Sequence, residues 1–302
     1  MSATSPPALF DLSRIEANRD RASFHYRNYA FLKARESSHF IERLEDVSRH
    51  FPRALELGSH DGQLTEALLR SPQVDEVIAL DPSAKMLARL PDQVSQRLHQ
   101  PLEALNLPPK SLDLVASVLS LHWVNDLPGL MVQIRETLKP DGLLLGCLFG
   151  GGTLTELRTA LIEAESSLTG GVSPRISPLP GLQDVAGLMQ RTGFALPVVD
   201  KEPVTVRYSS PLKLLDDLRG MGEQAAFARR EGQERRPLSR RLLMRLDEAY
   251  RDLYSDPDGK VRATFEVIWL SGWAPAPTQP KPLKPGSGKH SLADAVKGMG
   301  RS

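Results

Sequence analysis

The segment Glu56-Leu57-Gly58-Ser59-His60-Asp61-Gly62 has the residue types needed to hold a charged ligand close to the backbone. An acid closes a short apolar run, two glycines follow, and a helical pattern begins at Gln63. A glycine at a strand end lets a ligand approach the chain, and a helix N-terminus offers unpaired N–H groups and partial positive charge. Glu56 can accept bonds from an ammonium group. Asp81 ends the next apolar run, 19 residues beyond Gly62. A carboxylate at that place can grip the two hydroxyls of a ribose. The plainer alternative is a strand-to-helix turn with a helix-capping Asp.

Further candidates lie downstream. His122 and Trp123 follow the apolar run Leu112–Ser117. His122 is a candidate general base, because an imidazole titrates near neutrality; alternatively the two rings pack the loop, with Trp123 shielding the ligand. Asp126 is placed to cap the helix that starts at Leu127. Phe149-Gly150-Gly151-Gly152-Thr153 permits close approach to a substrate, with Thr153 capping the next helix, or is an ordinary turn. Arg175, in Ser173-Pro174-Arg175-Ile176-Ser177-Pro178, can grip a carboxylate in bidentate fashion or stand solvated. The seven His are scattered, and none is followed two residues on by Asp or Glu. No metal constellation and no oxygen-activating centre is therefore named. Arg229-Arg230, Arg235-Arg236 and Arg240-Arg241 form a basic cluster partly offset by Glu231, Glu234 and Asp247. It reads as a solvated helix face or a dock for an acidic protein.

These residues need a scaffold. Short apolar runs at 53–57, 77–80, 112–117 and 143–149 alternate with helical patterns at 63–69, 83–87 and 127–138. Such alternation predicts βαβ units and an open, doubly wound parallel sheet. Residues 1–23 read as a mobile arm with a first turn near Phe10, and 24–50 as one or two amphipathic helices. Beyond Gly150 the pattern predicts helices at 153–168 and 182–190, one or two strands within 196–208, helices across 211–254 broken near Gly220-Met221-Gly222, and a late strand at 264–270. From Ala274 five prolines in twelve residues predict an extended tail, 274–302, without a core.

Composition narrows the class. A chain of 302 residues allows one large domain or two small ones. Lys and Arg total 38 against 37 Asp and Glu, a net charge of +1 that argues against a dedicated nucleic-acid binder. The single cysteine, Cys147, excludes a disulfide framework and a thiolate zinc site. No apolar run nears the ~20 residues that span a bilayer, which leaves at most peripheral membrane association. The N-terminus lacks a secretory pattern, and Asp11 and Glu16 come too early for a transit peptide. The expectation is a cytoplasmic protein, or one of the mitochondrial matrix in a eukaryote.

Glu56-x-Gly58-x-x-x-Gly62, Asp81 after a strand, Glu103 before Leu107-Pro108, and Ser111-Leu112-Asp113-Leu114-Val115 resemble the class I S-adenosylmethionine-dependent methyltransferases. That family carries a glycine where His60 stands. The resemblance implies a Rossmann-like α/β fold, mostly parallel with a late antiparallel strand. Its domain would span 51–273, with a helical N-terminal extension over 1–50 and a helical insertion at about 209–258. It implies S-adenosylmethionine as cofactor, with Glu56, Gly58 and Gly62 on the methionine side, Asp81 on the ribose and Glu103 at the adenine amino group. Ser59, His60, Pro82 and Ser117 would line the same site.

A narrower resemblance rests on Ser120-Leu121-His122-Trp123-Val124-Asn125-Asp126-Leu127, Leu138-Lys139-Pro140-Asp141-Gly142 and Phe149-Gly150-Gly151-Gly152-Thr153-Leu154-Thr155-Glu156-Leu157-Arg158. The Ser173–Pro178 block and Asp217-Leu218-Arg219-Gly220-Met221-Gly222-Glu223 extend it. These are similar to the respiratory complex I assembly factor 5 type. That likeness implies a protein substrate among complex I subunits and arginine hydroxylation, with His122 and Trp123 as catalytic candidates and Phe149 and Arg175 toward the substrate. Fewer blocks are shared with the malonyl-carrier-protein methyltransferase of biotin synthesis. Two alternatives stay open: O-methylation of a small molecule or carrier-bound acyl group, and a non-catalytic assembly chaperone.

Overall fold

The computed structural model describes residues 8–228 and 237–280. Seven strands form one sheet: β1 (Phe51–Leu57), β2 (Val74–Asp81), β3 (Gln96–His99), β4 (Leu112–Val118), β5 (Leu138–Phe149), β6 (Ala195–Tyr208) and β7 (Val261–Trp273). Their order is β3-β2-β1-β4-β5-β7-β6. Strands β1 to β5 pair in parallel, whereas β7 runs antiparallel to both β5 and β6. The carboxyl halves of the central strands are buried without interruption, as Ala54–Leu57 and Leu114–Val118 show. Strands covered on both faces require continuous apolar runs.

Successive side chains on a strand point to opposite faces, so each strand feeds two cores. Leu55, Leu57, Ile78 and Leu80 join Leu130 and Ile134 of helix α5 (Leu127–Thr137) and Val185 of α7 (Leu182–Arg191). Ala54, Val77, Leu114 and Ala116 join Phe40 and Leu44 of α2 (Phe31–Glu45) and Leu64 of α3 (Gln63–Arg70). The same core takes in α6 (Thr155–Thr169), α8 (Pro211–Gly220) and α9 (Arg240–Tyr254). A short α4 (Ala84–Leu87) is capped by the Ser83 hydroxyl, as its sequence predicts.

The expectation of a mobile arm over residues 1–23 needs correction from residue 8 onward; residues 1–7 lie outside the described residues. Residues Leu12–Ala22 form helix α1, capped by Asp11. The segment before it is pinned by Asn125, whose side-chain oxygen accepts from the backbone N–H of Leu9 at 2.8 Å and Phe10 at 2.7 Å. Phe10 packs edge-on to Trp123, with ring centroids 5.3 Å apart. The helix escaped detection because only Ile15, Arg19 and Ala22 form its buried stripe together with Asn18, so half of that stripe is polar. Strand β3 is polar and exposed, which hides its alternation. The first residues of the expected tail are docked: Ala274 exchanges backbone bonds with Gly142 and Asp141, and Gln279 bonds Asp141. The tail beyond Pro280 and the Arg229-Arg230 and Arg235-Arg236 pairs lie outside the described residues.

Candidate functional site

The chain crosses to opposite sides of the sheet on either side of β1, so the loops after β1 and β4 diverge at a switch point. Ligands of open α/β sheets bind in the crevice at such a point, beyond the carboxyl ends of the strands. Gly58 leaves β1 with φ of +80°, and a Cβ there would lie 2.1 Å from the Ser120 Oγ of the β4 loop. His60 turns back into the fold. Its backbone N–H donates to Asp81 at 2.9 Å, and its ring stacks on Tyr26 at 5.1 Å. Burial, with Arg19 and Lys33 nearby, holds the His60 pKa well below the usual imidazole value, so the ring is neutral.

Both strand-end acids are fully buried. Glu56 accepts a bond from Thr65 Oγ1, while its Oε1 takes no hydrogen bond and lies 3.6 Å from Lys33 Nζ. Burial pushes the Glu56 carboxyl up to about 7, against the opposing pull of Lys33. Burial likewise lowers Lys33, which donates to the carbonyls of Gly58 at 3.0 Å and Val118 at 2.9 Å. Asp81 Oδ1 accepts from the Ser83 N–H at 2.9 Å. Its Oδ2 accepts from Arg19 Nη1 at 2.6 Å, and Arg19 Nη2 reaches Ser120 Oγ at 3.3 Å. Helix α1 thus drives a guanidinium onto Asp81 and Ser120 at the ends of β2 and β4.

Beside it lies a cavity of about 250 Å3. Pro82, Leu102, Glu103 and Trp123 form its walls, and Leu12, Ile15 and Glu16 of α1 close it. An S-adenosylmethionine group fits this arrangement at the purine end: the walls are apolar and Glu103 supplies an acceptor. The buried, unpartnered Ser59 Oγ and Glu56 Oε1 are open to polar groups at the methionine end. The ribose end is closed as it stands: Asp81 is fully buried, and its Oδ2 already accepts from both Arg19 and the His60 N–H. Arg19 has to leave Oδ2 before a ribose can bond there. Ser117 bonds the Leu57 carbonyl at 2.8 Å and so ties β4 to β1.

A second cluster sits on the β4 and β5 loops. His122 Nε2 is 3.0 Å from Glu223 Oε2, and Trp123 Nε1 donates to the same oxygen at 2.9 Å. His122 Nδ1 is buried and without a partner. The Phe149 ring lies 5.0 Å from His122. Glu223 follows α8 directly through Gly222, whose φ is +77°, and its N–H donates to Leu218 at 2.9 Å. Arg175 pairs with Glu165 of α6 at 2.5 Å. Asp126 caps α5 through the Gly129 N–H. Thr153 does not cap α6; its hydroxyl bonds the Glu266 backbone of β7, and Leu154 takes the cap position in a left-handed conformation. Gly150 and Gly152 serve the same contact, because a Cβ on either would press on Glu266. Arg19, Lys33, Tyr26 and Glu223 were not foreseen as site residues. Only Glu223 carried a signal, as the end of the Asp217–Glu223 block.

Strand order, the single reversed strand and the glycine-bearing switch point define a class I methyltransferase-type α/β protein. A family profile described as a methyltransferase domain matches residues 55–146. The arginine-hydroxylase NDUFAF5, mitochondrial, of Danio rerio is 36% identical over 96% of this chain and 90% of its own length. The malonyl-[acyl-carrier protein] O-methyltransferase of Halorhodospira halophila is 34% identical over 86% of each chain. Among solved structures, phosphoethanolamine N-methyltransferase 2 of Haemonchus contortus shares the fold with a TM-score of 0.53 and 16% identity, over 91% of this chain and 61% of that one. The chain belongs to the NDUFAF5 arginine-hydroxylase family.

Proposed function

We propose that this chain binds S-adenosylmethionine and modifies an arginine of a protein substrate during assembly of respiratory complex I. Hydroxylation is the activity that the relatives' name carries. The observation that supports the reading most is the His122–Glu223–Trp123 cluster beside the switch point, in a chain related to those hydroxylases over nearly its whole length. Pro82, Leu102 and Glu103 hold the adenine. Asp81 takes the ribose once Arg19 has withdrawn, and Glu56, Gly58, Ser59, His60 and Gly62 frame the methionine end. When bound, the cofactor would supply a carbon activated by a sulfonium, which is chemistry for methyl transfer; hydroxylation of the arginine would instead take one oxygen atom from dioxygen, the other leaving as water at the expense of a two-electron reductant. His122 holds or accepts a proton at Nδ1, with Trp123 and Phe149 excluding water around it.

The relatives' name places them in mitochondria. We assign this chain to the cytoplasm, or to the matrix in a eukaryotic cell. No helix among the described residues is long and apolar enough to cross a membrane. The test is mass spectrometry of the complex I subunits from cells lacking this protein. The expected result is loss of one modified arginine, restored by the wild-type gene. An unchanged arginine pattern overturns the hydroxylase reading. The O-methyltransferase relative supports a second reading on an acyl-carrier substrate; a deletion strain that needs added biotin would establish it.

A further inference from the structure

We propose that Glu223 is the residue that recognises the guanidinium of the substrate arginine, within a cage formed by Tyr26, Tyr29, Phe149 and Met221. This rests on the arginine-modifying reading above and adds the residue that selects the side chain. Glu223 is nearly buried, its side chain 11% exposed. Two ring N–H groups converge on Oε2, whereas Oε1 takes no hydrogen bond from a described residue. No Lys or Arg among the described residues forms an ion pair with it. A largely buried carboxylate with no Lys or Arg partner calls for a cation, and a guanidinium matches a carboxylate edge in bidentate fashion.

The walls fit the same group. Tyr26, Tyr29, Phe149 and Met221 line one small cavity with Glu223 and Lys33. Aromatic faces attract a guanidinium, and a thioether adapts its shape to the stem. The cavity has about 10 Å3, room for a single water. An arginine therefore enters only as the segment carrying Tyr26 and Tyr29 shifts. That segment joins α1, which carries Arg19, to α2. Once inside, the guanidinium would lie beside His122, whose ring already touches both Glu223 and Phe149.

Trp123 gives a direct report on Glu223 through its indole N–H. The protein has three Trp, so its indole resonances are separable by NMR. The full chain is titrated with N-acetyl-L-arginine N-methylamide and, separately, with the citrulline analogue. We expect the arginine probe to move the Trp123 indole resonance and the uncharged citrulline probe to leave it in place. Glu223→Gln should bind the arginine probe at least about tenfold more weakly, the loss of one charged hydrogen-bonded pair. Its glutamine keeps an acceptor for Trp123, so a dispersed indole signal shows that the fold persists. Equal responses to the two probes, or equal affinity in the wild type and Glu223→Gln, overturn the proposal. No response of the wild type also overturns it, while the arginine mass spectrometry of the deletion strain decides the parent reading separately.

Discussion

Replacing Arg19 by Met tests whether helix α1 is held by electrostatics or only by packing. Met keeps the length and the apolar stem and is a good helix former, so the change removes the guanidinium and little else. Arg19 and Asp81 are 2% and 0% exposed and 2.6 Å apart. Removing one partner of a buried pair costs about 3 to 5 kcal/mol, because the other charge is left uncompensated. Asp81 keeps the N–H groups of His60 and Ser83, both at 2.9 Å, which places the loss near the lower bound. A loss of about 3 kcal/mol lowers the melting temperature of a chain this size by roughly 5 °C. Added S-adenosylmethionine should then raise the melting temperature more in Arg19→Met than in the wild type, since no guanidinium has to be displaced from Asp81. Calorimetric scans with and without the ligand give both quantities. In an Asp81→Asn background, Arg19→Met should cost under about 1 kcal/mol, because no charge is left to neutralise. An equal cost in both backgrounds refutes the reasoning.

Two further outcomes follow from the same site. The Glu56 carboxyl, raised from 4.5 to about 7 by burial, favours the folded state when protonated. Its stabilisation is complete below pH 4.5 and is lost as pH rises through 7, by about 3 kcal/mol. Urea titrations of the wild type should therefore lose stability relative to Glu56→Gln across that window; parallel pH profiles would contradict the assignment. Asn125→Ala removes the acceptor for two backbone N–H groups ahead of α1. A loss of about 1 to 3 kcal/mol is expected, concentrated in that segment. Limited proteolysis should cut first near residues 8–22, and a cleavage pattern identical to the wild type would refute the latch.

The central strands were legible because they are buried on both faces, and Leu112–Ser117 or Leu143–Phe149 can hardly be anything else, whereas the exposed β3 was not. The strand-end acids were legible because chemistry needs them where a strand stops. The cap was not. A helix whose buried stripe includes Asn18 and Arg19 carries no apolar periodicity, and its position depends on Asp81, some sixty residues away. Glu223 was hidden for a related reason: its partners, His122 and Trp123, are brought to it only by the turn at Gly222. The glycines after Phe149 left two readings open, a substrate contact or a plain turn. In the structure Gly150 and Gly152 make room for Glu266 of β7.

The cap also settles a charge problem that the two acids create. Glu56 and Asp81 end adjacent strands and are both fully buried, and an ionised carboxylate there needs a cation close by. The N-terminal helices supply one each: Lys33 from α2 reaches toward Glu56, and Arg19 from α1 reaches Asp81. S-adenosylmethionine carries a sulfonium and an ammonium against one carboxylate, so it brings positive charge into the same space. If the ligand takes the site proposed above, it and helix α1 compete for Asp81. On that reading the ammonium end of the ligand meets Glu56, whereas at Asp81 uncharged ribose hydroxyls replace the Arg19 guanidinium. The strength of the Arg19–Asp81 pair then sets how much intrinsic ligand affinity is spent on lifting α1, and so how far the cap stays closed until the ligand is present.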